Sequence, residues 1–344
     1  HPLARNNGFN FFESTAYTAF GTLMWEIFLE SIQPSTNDLI MTTFGGVTLG
    51  EVLYRMAGLV IDESTTGLER ALREALAFFI NPAFGFRFFN GEAVRNGESP
   101  GNRYYAFELP LGAYISSEAR PRFLLAMNLE YNEFLKKDPS EISPYDWFTL
   151  EGRVGLDDNG FRDKELFTTG IIAGTKVENA LAGLFGVFDY VDTHIAERIS
   201  ALGLGPGLVA YFDSESNLFF NSSGVISVIF GGSSPSFELE DYHFGKKVND
   251  PYYLGPGMLG RVNLEFGKKG LGSIHTGFAK YWVYSMIPHA NEFLTISSLN
   301  LKCDLSRGSR ISVEYDHYLR NASLQELRFS GANYAIRALY VLKF

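Results

Sequence analysis

Hydrophobic residues recur along this chain with two different periods, and the change of period divides it. From Phe11 to about Gln33 the apolar positions Phe12, Ala16, Ala19, Phe20, Leu23, Ile27 and Leu29 fall three and four residues apart. That is the spacing of one face of an α-helix, and the run stops before Pro34. On the same stretch Thr18, Thr22, Glu26 and Glu30 lie four apart and form one polar stripe. Ser35 followed by Asp38 fits a capping box opening a second helix over about 37–61, where Gly45-Gly46 and Gly50 allow close backbone approach and Glu51 and Arg55 lie four apart. A third helix is predicted from near Ser64. It carries Leu68, Leu72, Leu76 and Phe79 on one side and Glu69/Arg73 and Arg70/Glu74 on the rest, and Asn81-Pro82 stops it.

From about Arg103 the period becomes 2. Phe123, Leu125, Met127, Leu129 and Tyr131 alternate with Leu124, Ala126, Asn128 and Glu130. Ile311, Val313, Tyr315, His317 and Leu319 alternate with Ser312, Glu314, Asp316, Tyr318 and Arg320. Turn clusters separate such runs, among them Asn221-Ser222-Ser223-Gly224, Lys268-Lys269-Gly270 and Ser306-Arg307-Gly308-Ser309. About twelve segments of about 20 residues each, with 10 to 14 as the range, match the length arithmetic of an up-and-down barrel. In the last segment Tyr334, Ile336, Ala338, Tyr340, Leu342 and Phe344 share one face, while Asn333, Ala335, Arg337, Leu339, Val341 and Lys343 share the other. An apolar outer stripe ending on an aromatic residue resembles the assembly signal of bacterial outer-membrane barrels, here Tyr340, Leu342 and Phe344. Polar residues on the inner face favour the membrane version over a soluble barrel, whose interior would be apolar.

Composition removes several alternatives. Charged residues make up 20% of the 344 residues and aromatics 15%, which is not the balance of a disordered chain. The single Cys303 excludes an intramolecular disulfide and a Cys-based zinc site. A net charge of -10 without a polybasic block argues against nucleic acid as a partner. No run of apolar residues is long enough for a transmembrane helix, which leaves the closed barrel as the other membrane solution. The chain starts at His1 without Met or a basic-then-apolar leader and reads as processed or trimmed, so its start leaves export open.

Several N-terminal motifs are specific. Arg5-Asn6-Asn7-Gly8-Phe9, Phe12-Glu13-Ser14, Trp25-Glu26-Ile27-Phe28-Leu29-Glu30, Pro34-Ser35-Thr36-Asn37-Asp38-Leu39-Ile40, Gly45-Gly46, Gly50-Glu51-Val52-Leu53-Tyr54-Arg55 and Asn81-Pro82 with Gly85-Phe86-Arg87 resemble a bacterial family named only as domain of unknown function 3943. The resemblance covers roughly residues 1–90. The chain departs from it where only Leu3-Ala4 separates His1-Pro2 from Arg5. It implies a bacterial envelope protein and brings no established activity.

Glu26, Glu30, Asp38, Glu51 and Arg55 form the richest ionisable set of the helical segment. They could line a ligand or cation site, or cap helices and anchor a plug against arginines of the inner barrel wall such as Arg261 and Arg337. The six His are scattered, with no ligand pair at helical spacing, and His317 falls on the outer face near a rim. No G-x-S-x-G elbow exists, although His243 could meet Ser236 or Ser273 in space. Gly255-Pro256-Gly257-Met258-Leu259-Gly260 has the spacing of a dinucleotide loop, but the alternating run after it makes these glycines sites of barrel bending or close packing. Tyr104, Tyr105, Tyr252, Tyr253, Tyr281, Trp282 and Tyr284 read as an interfacial girdle.

The expectation is a mainly β protein: a transmembrane antiparallel barrel of about twelve strands over 91–344, preceded by a helical plug or periplasmic-side segment over 1–90. Its partners would be outer-membrane lipids, the barrel-assembly machinery through the C-terminal strand and other envelope proteins, with no cofactor or metal. Two functions stay open. One is a non-enzymatic plugged pore or structural subunit of an envelope assembly. The other is a lipid-modifying or lipid-hydrolysing barrel enzyme.

Overall fold

Two units make up the computed structural model, residues 1–105 and 106–344. It describes the chain except residues 30–35, 63, 85–104, 118–120, 158–159, 194–196, 236–251, 286–289 and 325–326. The expected positions Glu30, Ser35, Gly85-Phe86-Arg87, Tyr104, His194, Ser236, His243 and His289 lie outside the described residues, as do the side chains of Asp38, Tyr252 and Tyr253.

The first unit is helical: α1 (Pro2–Asn6), α2 (Phe11–Met24) running on into a wider π turn (Trp25–Leu29), α3 (Thr36–Val60) and α4 (Gly67–Ile80). The start of α2 is fixed by a capping box. Asn10 accepts from the Glu13 amide at 2.9 Å, and Glu13 accepts from the Asn10 amide at 2.8 Å. Small residues bring the helices close. A Cβ added at Gly50 would stand 2.9 Å from Pro2 Cδ, so α1 crosses α3 where a side chain has no room. Ala57, Ala77 and Phe84 form a small core with Tyr54, Val60, Ile61 and Ile80 around it.

Among the described residues, twelve antiparallel strands make up the second unit. They are β1 (Tyr105–Ser116), β2 (Arg122–Asn132), β3 (Trp147–Asp157), β4 (Gly160–Val177), β5 (Ala180–Thr193), β6 (Glu197–Asp213), β7 (Leu218–Pro235), β8 (Tyr252–Lys268), β9 (Gly272–Ser285), β10 (Ala290–Ser306), β11 (Ser309–Leu324) and β12 (Leu327–Lys343). Each pairs with its sequence neighbours, and β12 returns to β1 from Glu108↔Lys343 to Ser116↔Ala335, so the sheet closes on itself. Closure leaves no strand edge unpaired, which is what a bilayer interior demands.

Alternation then sorts the side chains. Ile226, Val228, Met258, Phe278, Leu299, Val313, Ile336 and Tyr340 are exposed on the outside, whereas Asp189, Glu314, Asp316, Arg320 and Arg337 are buried within. An apolar outside around an interior that carries buried charges is the reverse of a soluble barrel and is the pattern of an outer-membrane barrel. Two expectations need correction. Asn221-Ser222-Ser223-Gly224 is no turn but a paired stretch of β7, for example Asn221↔Glu265 and Ser223↔Asn263, because a wet lumen tolerates small polar residues mid-strand. The turn falls earlier, at Ser214 to Asn217, where Asn217 takes a positive φ of 62°. Tyr281 is not in a girdle. Its strand parity turns it inward, fully buried.

Candidate functional site

The lumen is where this barrel concentrates its chemistry. Inward positions of several strands carry charge, and they meet both along neighbouring strands and across the barrel. Arg153 on β3 reaches Glu165 on β4 at 3.0 Å and Asp316 on β11 at 3.4 Å, four strands away around the ring. Arg337 on β12 also binds Asp316, and it donates to the Tyr318 hydroxyl at 3.2 Å. Tyr318 in turn donates to Glu165 at 2.9 Å. A second crossing joins β8 to β4 and β5: Arg261 donates to Thr169 at 3.0 Å and to Tyr281 at 2.9 Å and pairs with Asp189, to which Tyr281 donates at 2.9 Å. A third runs from β2 to β6, where Tyr211 donates to Glu130 and accepts from the Trp147 indole at 2.7 Å. Arg153, Arg261 and Arg337 each meet a carboxylate, and the tyrosine hydroxyls add hydrogen bonds that help buried ions to be tolerated, although Asp189 Oδ1 and Arg337 Nε have no partner among the described residues.

These crossings divide the lumen. Toward the end where β1 starts and β12 finishes lies a cavity of about 450 Å³, walled by Glu108, Asn128, Glu151, Asn263, Glu265, His275, Asn300, Lys302 and Arg310. Toward the other end most inward positions are apolar, and Val191, Ile199, Ala201, Ile229, Leu259, Val283, Leu294 and Ala335 pack into one buried cluster, with the buried Arg320–Glu292 pair at 3.0 Å near the same end. The cavity is therefore a blind vestibule: charged walls, an ion-paired floor, and an apolar layer behind it. The β2–β3 connection narrows it further. Residues 133–146 fold inward, with Phe134 buried in the same cluster and the Lys176 amine on β4 donating to the carbonyls of Leu135 at 2.7 Å and Lys137 at 3.2 Å.

The expected site residues of the helical unit come together only in part. Glu51 is fully buried and accepts from Arg5 at 2.8 Å and Arg55 at 3.0 Å, with the His1 ring at 3.0 Å. The Arg5 guanidinium also stacks over Tyr54 at 4.7 Å. Every one of these contacts lies within the unit, so Glu51 ties α1 to α3. Glu26 is buried in the π turn. Arg261 and Arg337 do stand on the inner wall, and their carboxylate partners, Asp189 and Asp316, are the barrel's own. Those partners, with Arg153 and Glu165, were missed as site residues, although charges at inward parity of a period-2 segment were the available signal.

The hydrolase constellation finds no support at Ser273, whose hydroxyl donates to Glu265 at 2.5 Å, a carboxylate rather than an imidazole. Among the described residues no group of three His, Cys, Asp or Glu side chains could hold a metal ion. The glycines of the 255–260 motif lie in β8. A Cβ at Gly257 would stand 2.0 Å from the Trp282 carbonyl oxygen, so close strand pairing, not phosphate binding, explains that glycine.

Residues 1–83 match the family model described as domain of unknown function (DUF3943). No curated protein matches the chain. Similar solved structures include the NanC porin (8% identity, TM-score 0.37, covering 68% of this chain and 98% of that one). An anion-selective porin from Comamonas acidovorans has 5% identity and a TM-score of 0.32, over 71% of this chain and 99% of that one. The outer membrane protease OmpT from Escherichia coli has 8% identity and a TM-score of 0.28, over 73% and 99%. The strand order and the inside-out sorting are the chain's own, and they make it an outer-membrane β-barrel whose surroundings are lipid.

Proposed function

We propose that this chain is a non-enzymatic outer-membrane barrel with a self-closed lumen, serving as a structural subunit of an envelope assembly rather than as an open pore. The observation that carries this reading is the cross-lumen network of Arg153, Arg337, Glu165, Asp316 and Tyr318, backed by the apolar layer around Ile229 and Leu259. Water and ions entering the vestibule meet a paired floor and then a dry core, and a permanently open channel has neither. Closure by the barrel's own side chains leaves residues 1–90 without a necessary plugging duty. On this reading the barrel-assembly machinery recognises β12, and the outward stripe ending in Tyr340, Leu342 and Phe344 supports it.

Solute flux tests the proposal. Full-length protein refolded into vesicles loaded with a small anionic dye is expected to leak no faster than protein-free vesicles. Steady efflux proportional to the amount of folded protein would overturn it. Release of fatty acid from the vesicle phospholipid would instead favour the enzyme reading.

A further inference from the structure

One helix of the N-terminal unit is sorted inside out. Along α2 and its π turn the polar stripe Ser14, Thr22 and Glu26 is buried, while Phe12, Phe20, Trp25 and Phe28 are 58–69% exposed. α3 contributes buried Thr43, Thr48 and Glu51. Thr15, Thr18 and Thr22 each donate to the carbonyl four residues back, at 2.7 to 3.0 Å, whereas the buried hydroxyls of Ser14 and Thr43 have no hydrogen-bond partner among the described residues. Small and hydroxylated residues at the helix contact, with hydroxyls bonded to their own helix, are the packing chemistry of helices in lipid. A helix in water does the opposite and buries its Phe and Trp.

α4 repeats the theme in a simpler form. Leu68, Leu72, Leu76 and Phe79 form one exposed face, reaching 84% at Phe79. The rest of the helix carries the Arg70–Glu74 and Arg73–Glu69 pairs at 2.8 and 2.9 Å. One apolar and one charged face is the build of a helix lying in a membrane interface. A plug would meet the barrel's charged vestibule with polar side chains, and these helices offer aromatic ones.

We propose that the N-terminal helical unit docks on the membrane itself, with the apolar faces of α2 and α4 among the acyl chains of the bilayer that the barrel of the same chain spans. Among the described residues no helix is long and apolar enough to cross a membrane, so the contact is lateral. Availability is not in question. The 20 residues 85–104 reach at most about 70 Å, so the unit never leaves the neighbourhood of lipid.

Trp25 reports on this directly. It is one of 3 Trp in the chain; Trp147 is buried inside the barrel, and Trp282 on β9 is removed by W282F. Full-length W282F is placed in phosphatidylcholine vesicles with brominated acyl chains, at several protein-to-lipid ratios, with W25F/W282F as the blank. The proposal predicts that most of the Trp25 emission is lost to the bromolipid, equally at every ratio, while aqueous iodide quenches little. Quenching by iodide and not by bromolipid would overturn it in favour of a water-exposed surface. Protection from both quenchers would overturn it in favour of a plug. Protection that appears only at high protein density would overturn it in favour of a second copy. Should W282F fail to assemble, the difference spectrum between wild type and W25F carries the same signal.

Discussion

Removing one arginine from the luminal floor gives the sharpest energetic prediction. Arg337 is 4% exposed and lies against Asp316, itself 2% exposed. It also donates to Tyr318 at 3.2 Å and stands 3.5 Å from Glu165. Arg337→Met keeps much of the volume and strands the carboxylates. Breaking a buried pair by removing one partner costs about 3–5 kcal/mol. Arg153 remains 3.4 Å from Asp316, which puts the expected loss toward the lower end, about 3 kcal/mol. At roughly 2–4 °C per kcal/mol for a domain of this size, the unfolding midpoint drops by on the order of 10 °C. The double change Arg337→Met with Asp316→Leu removes both charges and should recover at least half of that loss. The assay is the temperature at which the folded band of the refolded protein disappears on a cold-loaded gel, repeated for each variant. A single variant as stable as wild type, or a double variant worse than the single, would refute the reasoning that the floor is held by matched charges.

Three further outcomes follow from named contacts. Phe344→Ser should lower the amount of protein in the outer-membrane fraction, since it removes the outward aromatic next to Phe107, ring centroids 5.7 Å apart, at the closing β1–β12 pair; normal levels would count against an assembly role. Glu51→Gln leaves Arg5 and Arg55 around a neutral amide and should cost the helical unit about 3 kcal/mol, read as earlier proteolysis of residues 1–90 with the barrel intact. Gly257→Ala forces a methyl against the Trp282 carbonyl and should slow refolding or lower folded yield, whereas Gly270→Ala, with open space around it but φ at +80°, should cost only about 1 kcal/mol.

The barrel was legible because its rule is simple: period 2 puts every second side chain on the lipid side, and twelve repeats of that rule leave few folds to choose from. Strand β12 shows how far this goes, since its six outward residues from Tyr334 to Phe344 and its inward Ala335, Arg337, Leu339 and Val341 fall as the alternation dictates. Bulges limit it. Between Ile171 and Ala173 the register shifts, so parity carried along β4 from the inward Glu165 assigns Lys176 to the wrong face. The vestibule was not legible, because Arg153 and Asp316 are 163 residues apart and only barrel closure brings them within 3.4 Å. Tyr281 was misplaced because Tyr beside Trp282 and Tyr284 suggests a girdle by composition, while parity sends it inward. In the helical unit the Thr18–Thr22–Glu26 stripe was visible, and its burial was not: periodicity identifies a polar face without saying whether water or another helix lies against it.

Closure of the lumen by the barrel's own side chains is the central claim, and single-channel recording tests it most directly. Full-length protein and a version lacking residues 1–90, which keeps every strand from Tyr105 onward, are each refolded and inserted into a planar bilayer. The account predicts that neither conducts at moderate voltage. A truncated form that opens into a stable channel while the full-length protein stays silent would contradict it and make the helices the plug.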